Sequence, residues 1–231
     1  MNIQGLQKLT LLDYPGRVAC TVFTGGCNFR CPFCQNSGLV LPPGQPPTWE
    51  PDALLAFLKK RVGILDGVCL TGGEPLMQPD LSKLLRDIRR LGFAIKLDTN
   101  GSFPDRLRRL AEEGLIDYVA MDVKNSPERY RETAGLPADS DLGPIFKSIA
   151  WLLEGTVPYE FRTTVVFEYH QPQDIVSMAR RLIGARQWFL QGFVSSEHVI
   201  KQGLHACGAA EMETLAQHAR AFVPSVQIRG I

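Results

Sequence analysis

From Arg17 almost to the last residue, short apolar runs alternate with longer amphipathic segments. The runs Arg17–Thr24, Gly67–Thr71, Phe93–Asp98, Ile116–Asp122, Glu160–Phe167 and Gln187–Gln191 are rich in Val, Ile, Leu and Phe. That is the composition of strands covered on both faces. Between them the pattern predicts helices near Pro51–Val62, Pro79–Leu91, Pro104–Glu113, Leu142–Glu154, Pro172–Ile183 and Ala209–Phe222, with a last short strand through Ser225–Arg229. Pro51, Pro79, Pro104 and Pro172 suit first-turn positions, and Gly92 and Gly114 suit helix ends. Repeated strand–helix order means βαβ units and a parallel sheet. Six or seven strands fall short of the eight of a closed barrel, and the length of 231 residues lies below the usual ~250. The expected architecture is therefore α/β, an open partial (β/α)6 TIM-like barrel of parallel strands, with a flat doubly wound sheet as the alternative. The proline-rich stretch Leu41–Pro51 reads as a loop, and residues 1–231 as a single domain without repeats or a low-complexity tail.

Composition narrows the function classes. A hydrophobic content of 45% supports one sizeable core, and a net charge of +1 argues against a broad nucleic-acid surface. The basic pairs Arg89–Arg90, Arg108–Arg109 and Arg180–Arg181 fall on predicted helices and read as solvated faces. No apolar run approaches the ~20 residues of a membrane span. With no export signal and cysteines read as reduced, the expected location is the cytoplasm.

Chemistry concentrates in CNFRCPFC, where Cys27, Cys31 and Cys34 fall within eight residues, directly after Gly25–Gly26. Core cysteines scatter; these sit in a polar loop with Asn28 and Arg30. A structural zinc wants four ligands, yet no second CxxC pair exists and no histidine lies within roughly a hundred residues. Three thiolates suit an iron–sulfur cluster with one iron left open. In parallel α/β folds the loops after the strands build the site. That rim carries the cysteine loop, then Thr71-Gly72-Gly73-Glu74-Pro75, Asp98-Thr99-Asn100-Gly101 and Asp122-Val123-Lys124 after four successive predicted strands. Each alone could be a turn, a helix cap or a chance charge pair. Cys20 and Cys69 fall inside strands and read as core; Cys207 stands alone, and His198 and His205 lie in one loop outside the predicted site.

The triplet with an aromatic before its third cysteine, Phe33, resembles the signature of radical S-adenosylmethionine enzymes. Gly5-Leu6-Gln7-Lys8, Asp13-Tyr14-Pro15-Gly16-Arg17, Phe23-Thr24-Gly25-Gly26-Cys27 and Val226-Gln227-Ile228-Arg229-Gly230 resemble glycyl-radical-enzyme activating proteins, most closely those of anaerobic ribonucleoside-triphosphate reductase. The resemblance implies a 4Fe–4S cluster on Cys27, Cys31 and Cys34, its open iron chelated by the amino and carboxylate groups of S-adenosylmethionine. It places Phe33 by the adenine and Gly72, Gly73 and Glu74 by the methionine amino group. Asp98, Asn100 and Asp122 become contacts to the cofactor or to a monovalent cation beside it, and Lys124 a partner for its carboxylate. Some pyruvate formate-lyase activases carry a histidine where this chain has Gln191.

The implied chemistry is one-electron reduction of the cluster by a flavodoxin or ferredoxin. S-adenosylmethionine then splits to methionine and a 5′-deoxyadenosyl radical, which takes a hydrogen atom from a glycine of a partner enzyme. An activase of the pyruvate formate-lyase type, a radical enzyme acting on a small molecule such as a deazaguanine precursor, and a non-catalytic zinc module are the alternatives.

Overall fold

A computed structural model of the chain describes residues 1–40 and 47–230. Most of the loop expected over Leu41–Pro51 lies outside the described residues. Among those described are eight strands: β1 (Ile3–Thr10), β2 (Ala19–Thr24), β3 (Gly67–Gly72), β4 (Ala94–Thr99), β5 (Tyr118–Asp122), β6 (Tyr159–Val165), β7 (Trp188–Gly192) and β8 (Val226–Arg229). The helices are α1 (Ser37–Val40), α2 (Pro51–Lys59), α3 (Leu81–Arg90), α4 (Pro104–Glu112), α5 (Tyr130–Ala134), α6 (Gly143–Leu153), α7 (Pro172–Arg181) and α8 (Ala209–Arg220). The class is α/β with parallel strands in an open sheet, as the pattern predicts. No helix among the described residues is long and apolar enough to cross a membrane.

The chain forms two compact units. The first comprises Met1–Asn28 and Gly38–Ala120, the second Phe29–Ser37 and Met121 onward. In the first, β2, β3 and β4 pair in parallel, with Thr21 beside Cys69 and Cys69 beside Lys96. Leu54 and Leu58 of α2, Leu81, Leu85 and Ile88 of α3, and Val68, Leu70, Ile95 and Leu97 of the strands are buried completely. Helices α2 and α4 open on Pro51 and Pro104, and α3 ends before Gly92 (φ 90°). The second unit pairs β6, β7 and β8 in parallel, with Val165, Trp188 and Leu190 of the strands and Ile175 of α7 all completely buried.

Three features depart from the sequence reading. The strand count is eight rather than six or seven, because β1 pairs antiparallel with β2. Two register shifts, between Ile3 and Gly5 and between Gln7 and Thr10, break its alternation, so IQGLQKLT gives no period-two signal. Helix α3 begins at Leu81, not at Pro79: Pro79 and Asp80 form a turn ahead of it, and that turn follows an extended Gln78 (ψ 120°). Its side-chain amide donates to the Gly25 carbonyl at 2.8 Å, and the Arg106 guanidinium donates to its own carbonyl at 2.7 Å. The short helix α5, unsignalled by any periodicity, ends on Gly135 in the left-handed conformation (φ 62°).

Candidate functional site

Within the first unit, three strand ends supply the predicted residues. The β2 end runs into Gly25, Gly26 and Cys27, and the Gly72–Gly73 pair closes on it. The Gly73 N–H donates to the Thr24 carbonyl and the Glu74 N–H to the Gly26 carbonyl, each at 2.8 Å. A Cβ on Gly73 would stand 1.9 Å from the Gly26 oxygen, and one on Gly72 would stand 2.3 Å from the Thr24 nitrogen. The glycines do permit a close approach, but here what approaches is the chain's own cysteine loop.

Glu74 is fully buried. Its Oε1 accepts from the Leu76 N–H at 3.0 Å and the Thr99 hydroxyl at 2.9 Å, and its Oε2 from the Asn100 N–H at 2.7 Å. The carboxylate thus ties the turn after β3 to the end of β4. Glu74→Gln turns an acceptor into a donor facing a donor, a loss of about 1–3 kcal/mol. The melting midpoint of the cofactor-free protein is expected to fall by about 2–10 °C. An unchanged midpoint would mean that these bonds contribute little.

Asn100 leads back to the cysteine loop. Its Nδ2 donates to Asn28 Oδ1 at 2.9 Å and lies 3.9 Å from Cys27 Sγ, while its Oδ1 accepts from the Ser102 hydroxyl at 2.6 Å. Asp98 points elsewhere: its carboxylate is ion-paired with the ammonium of Lys96, which is 1% exposed. Cys69 Sγ lies 3.8 Å from that ammonium and 3.7 Å from Asp98 Oδ1. Cys69 is core, as expected, yet it packs against charge rather than hydrocarbon alone.

Within the second unit, α5 grips the rest of the cysteine loop. The Arg30 N–H donates to the Ala134 carbonyl at 3.0 Å, and Cys31 Sγ lies 3.7 Å from the same oxygen. A Cβ on Gly135 would meet the Arg30 oxygen at 2.0 Å. The Cys34 N–H donates to the Cys31 carbonyl at 3.0 Å and closes the turn. Burial pushes the Cys34 thiol above its ordinary range, against the pull of an Asn36 backbone hydrogen bond and of Lys124. Phe33 is buried and tilts against Tyr169, with ring centroids 6.2 Å apart.

Asp122 ends β5 between two cations, accepting from Arg162 Nε at 2.9 Å and Lys124 Nζ at 3.0 Å. Burial alone would raise its pKa; the two charges and their hydrogen bonds outweigh that and hold it at about 2. Burial would lower the pKa of Lys124, but Asp122, and next the Cys31 sulfur, hold it above the ordinary lysine value. His170 fixes the backbone here. The Val166 N–H donates to its Nδ1 at 3.1 Å, which leaves Nε2–H to donate to the Lys124 carbonyl at 2.8 Å. Its burial lowers its pKa from the ordinary histidine value.

Lys96, Arg162, Gly135 and His170 escaped the sequence reading. A lysine two residues before Asp98 in a buried strand lies on the same strand face, a signal that was available. Arg162 meets Asp122 because the Val123 N–H donates to the Arg162 carbonyl at 2.8 Å, a register the sequence does not state. His198 and His205 are exposed, the latter paired with Glu168 at 2.6 Å. Gln191 is half-buried at the end of β7 beside Arg229.

Three cysteines on one loop, none of them in a disulfide, are by residue type and spacing a donor set that fits an iron–sulfur cluster. The sequence pattern of the radical SAM superfamily matches residues 21–182, and the chain belongs to that superfamily. It is 29% identical, over 99% of its length and 96% of the relative's, to a Methanocaldococcus jannaschii protein provisionally named a glycyl-radical enzyme activating enzyme. It is 35% identical to the 7-carboxy-7-deazaguanine synthase of Methanopyrus kandleri, over 54% of each chain. Among solved structures it resembles a domain of pyruvate-formate lyase-activating enzyme from Bacteroides vulgatus, with a TM-score of 0.58 at 17% identity, over 71% of this chain and 99% of that one. At that identity the likeness concerns the fold alone.

Proposed function

We propose that this chain is the activating protein of a glycyl-radical enzyme, and that its partner is an anaerobic (class III) ribonucleoside-triphosphate reductase. The end-to-end similarity to the Methanocaldococcus jannaschii relative supports the activating role; the choice of reductase rests on the resemblance of the opening and closing motifs. Residues 1–231 act as one catalytic domain, in the cytoplasm, with a flavodoxin or ferredoxin as electron donor. Cys27, Cys31 and Cys34 hold the 4Fe–4S cluster. When bound, the reduced cluster would supply one electron for cleavage of the S–C5′ bond of S-adenosylmethionine, and the hydrogen removed would be the Cα hydrogen of a partner glycine.

The chain's residues bind and orient. Gly72 and Gly73 present backbone to the methionine amino group, Phe33 offers an apolar face to the adenine, and Asp98 and Asn100 border the ribose. Asn100 also turns its amide toward the Cys27 sulfur. Glu74 acts through Asn100 and the turn after β3, which it hydrogen-bonds, rather than by pairing with the ammonium. Two cations share the Asp122 carboxylate, so Lys124 keeps positive charge for the carboxylate of S-adenosylmethionine.

The test combines anaerobically reconstituted protein, dithionite, S-adenosylmethionine and a class III reductase. A glycyl EPR doublet on the reductase supports the proposal. The similarity to a deazaguanine synthase favours a second reading, in which the substrate is a small molecule. 5′-Deoxyadenosine without the doublet would favour that one, and no 5′-deoxyadenosine from cluster-loaded protein would overturn both.

A further inference from the structure

Resemblance to the pyruvate formate-lyase activases offers Asp98 and Asp122 to a monovalent cation, and the residues here do not fit one. The Lys96 ammonium already sits on the Asp98 carboxylate, and both side chains are buried. Cys69 Sγ lies within 3.8 Å of that ammonium and 3.7 Å of the carboxylate, so a soft sulfur stands where one of a hard alkali ion's oxygen ligands would be, and the place favours the ammonium. A second positive charge there would be repelled by the first. In the other unit Asp122 already serves Arg162 at 2.9 Å and Lys124 at 3.0 Å, two cations for one anion. Neither aspartate has surplus negative charge for a metal ion.

We infer that Lys96 is a built-in cation, a positioning residue that neutralises and aims Asp98, and that this protein binds S-adenosylmethionine without a monovalent metal ion. The inference rests on the proposed site. A lysine buried in a strand costs desolvation and persists only when paired. Strand periodicity sets Lys96 on the face of Asp98, and the parallel register sets it beside Cys69. The ammonium is therefore fixed by the backbone rather than drawn from solvent.

The experiment measures S-adenosylmethionine affinity of the cluster-loaded protein by anaerobic titration in NaCl, KCl and choline chloride at one ionic strength. It also measures the melting midpoint of the cofactor-free protein in the same salts. Wild type is expected to give the same affinity and midpoint in all three. Lys96→Met is expected to lose about tenfold or more in affinity in choline, the scale of one hydrogen bond to a charged group, and to regain it with Na⁺ or K⁺. Its midpoint should follow the same order of salts. The double variant Lys96→Met, Asp98→Asn removes both charges, so its midpoint should show no alkali preference. Wild type that needs Na⁺ or K⁺ would overturn the inference, and that arm needs no variant. So would Lys96→Met with wild-type affinity and midpoint in choline. If wild type bound no S-adenosylmethionine in any salt, the site reading would fail, while the midpoints would still decide the role of Lys96.

Discussion

Cys31→Ala protein, reconstituted with iron and sulfide, is expected to emerge colourless from desalting and to form no 5′-deoxyadenosine above the enzyme-free control. The loss is chemical rather than structural. Cys31 is held through its backbone, whose carbonyl accepts the Cys34 N–H at 3.0 Å, and alanine keeps that bond. The preceding Arg30 N–H remains on the Ala134 carbonyl. What disappears is one thiolate of three, and two thiolates cannot hold a cluster with a single open iron. Cys69→Ala is the matched control, since that buried thiol belongs to the Lys96–Asp98 cluster and not to the loop. It is expected to keep the brown chromophore. A brown Cys31→Ala protein, or a colourless Cys69→Ala, would break the ligand assignment.

Gly135→Ala is expected to destabilise the chain and to loosen the cysteine loop. Two costs combine. The residue adopts φ 62°, where an L side chain pays roughly 1–2 kcal/mol, and its Cβ would overlap the Arg30 carbonyl oxygen at 2.0 Å. Because backbone atoms make that contact, neither partner moves without displacing the loop that carries Cys31. Together the costs amount to about 2–4 kcal/mol, so the midpoint should fall by roughly 5–15 °C. Gly92→Ala separates the two, because Gly92 has φ 90° but nothing within 4 Å of its Cβ. It should lose only the conformational part, and its iron content should match wild type. Thermal melts and iron analysis of both variants check the difference; equal losses would mean that the contact with Arg30 contributes nothing.

The triplet, the GGEP turn, DTNG and DVK were legible because each is local: residue type and spacing carry the information within a few positions. The parallel α/β order was legible for the same reason, through apolar runs and proline and glycine punctuation. The partners of these motifs were not. Lys96 shares a strand face with Asp98, yet burial of the pair depends on neighbouring strands. Arg162 lies forty residues from Asp122 and reaches it through strand register alone. Gly135 matters because of the carbonyl of Arg30, far away in sequence. Glu74 shows the opposite risk. Its motif points to a ligand contact, and nothing local announces that donors from Leu76, Thr99 and Asn100 also make it a brace within its own unit.

On the proposed function, the radical ends on a glycine of a partner reductase. The most direct test uses reductase labelled with deuterium at glycine Cα, incubated anaerobically with the reconstituted protein, dithionite and S-adenosylmethionine. The 5′-deoxyadenosine is then weighed by mass spectrometry. One deuterium per molecule of 5′-deoxyadenosine formed is expected, together with a glycyl EPR signal on the reductase. 5′-Deoxyadenosine free of deuterium, with the reductase left EPR-silent, would contradict the proposed function.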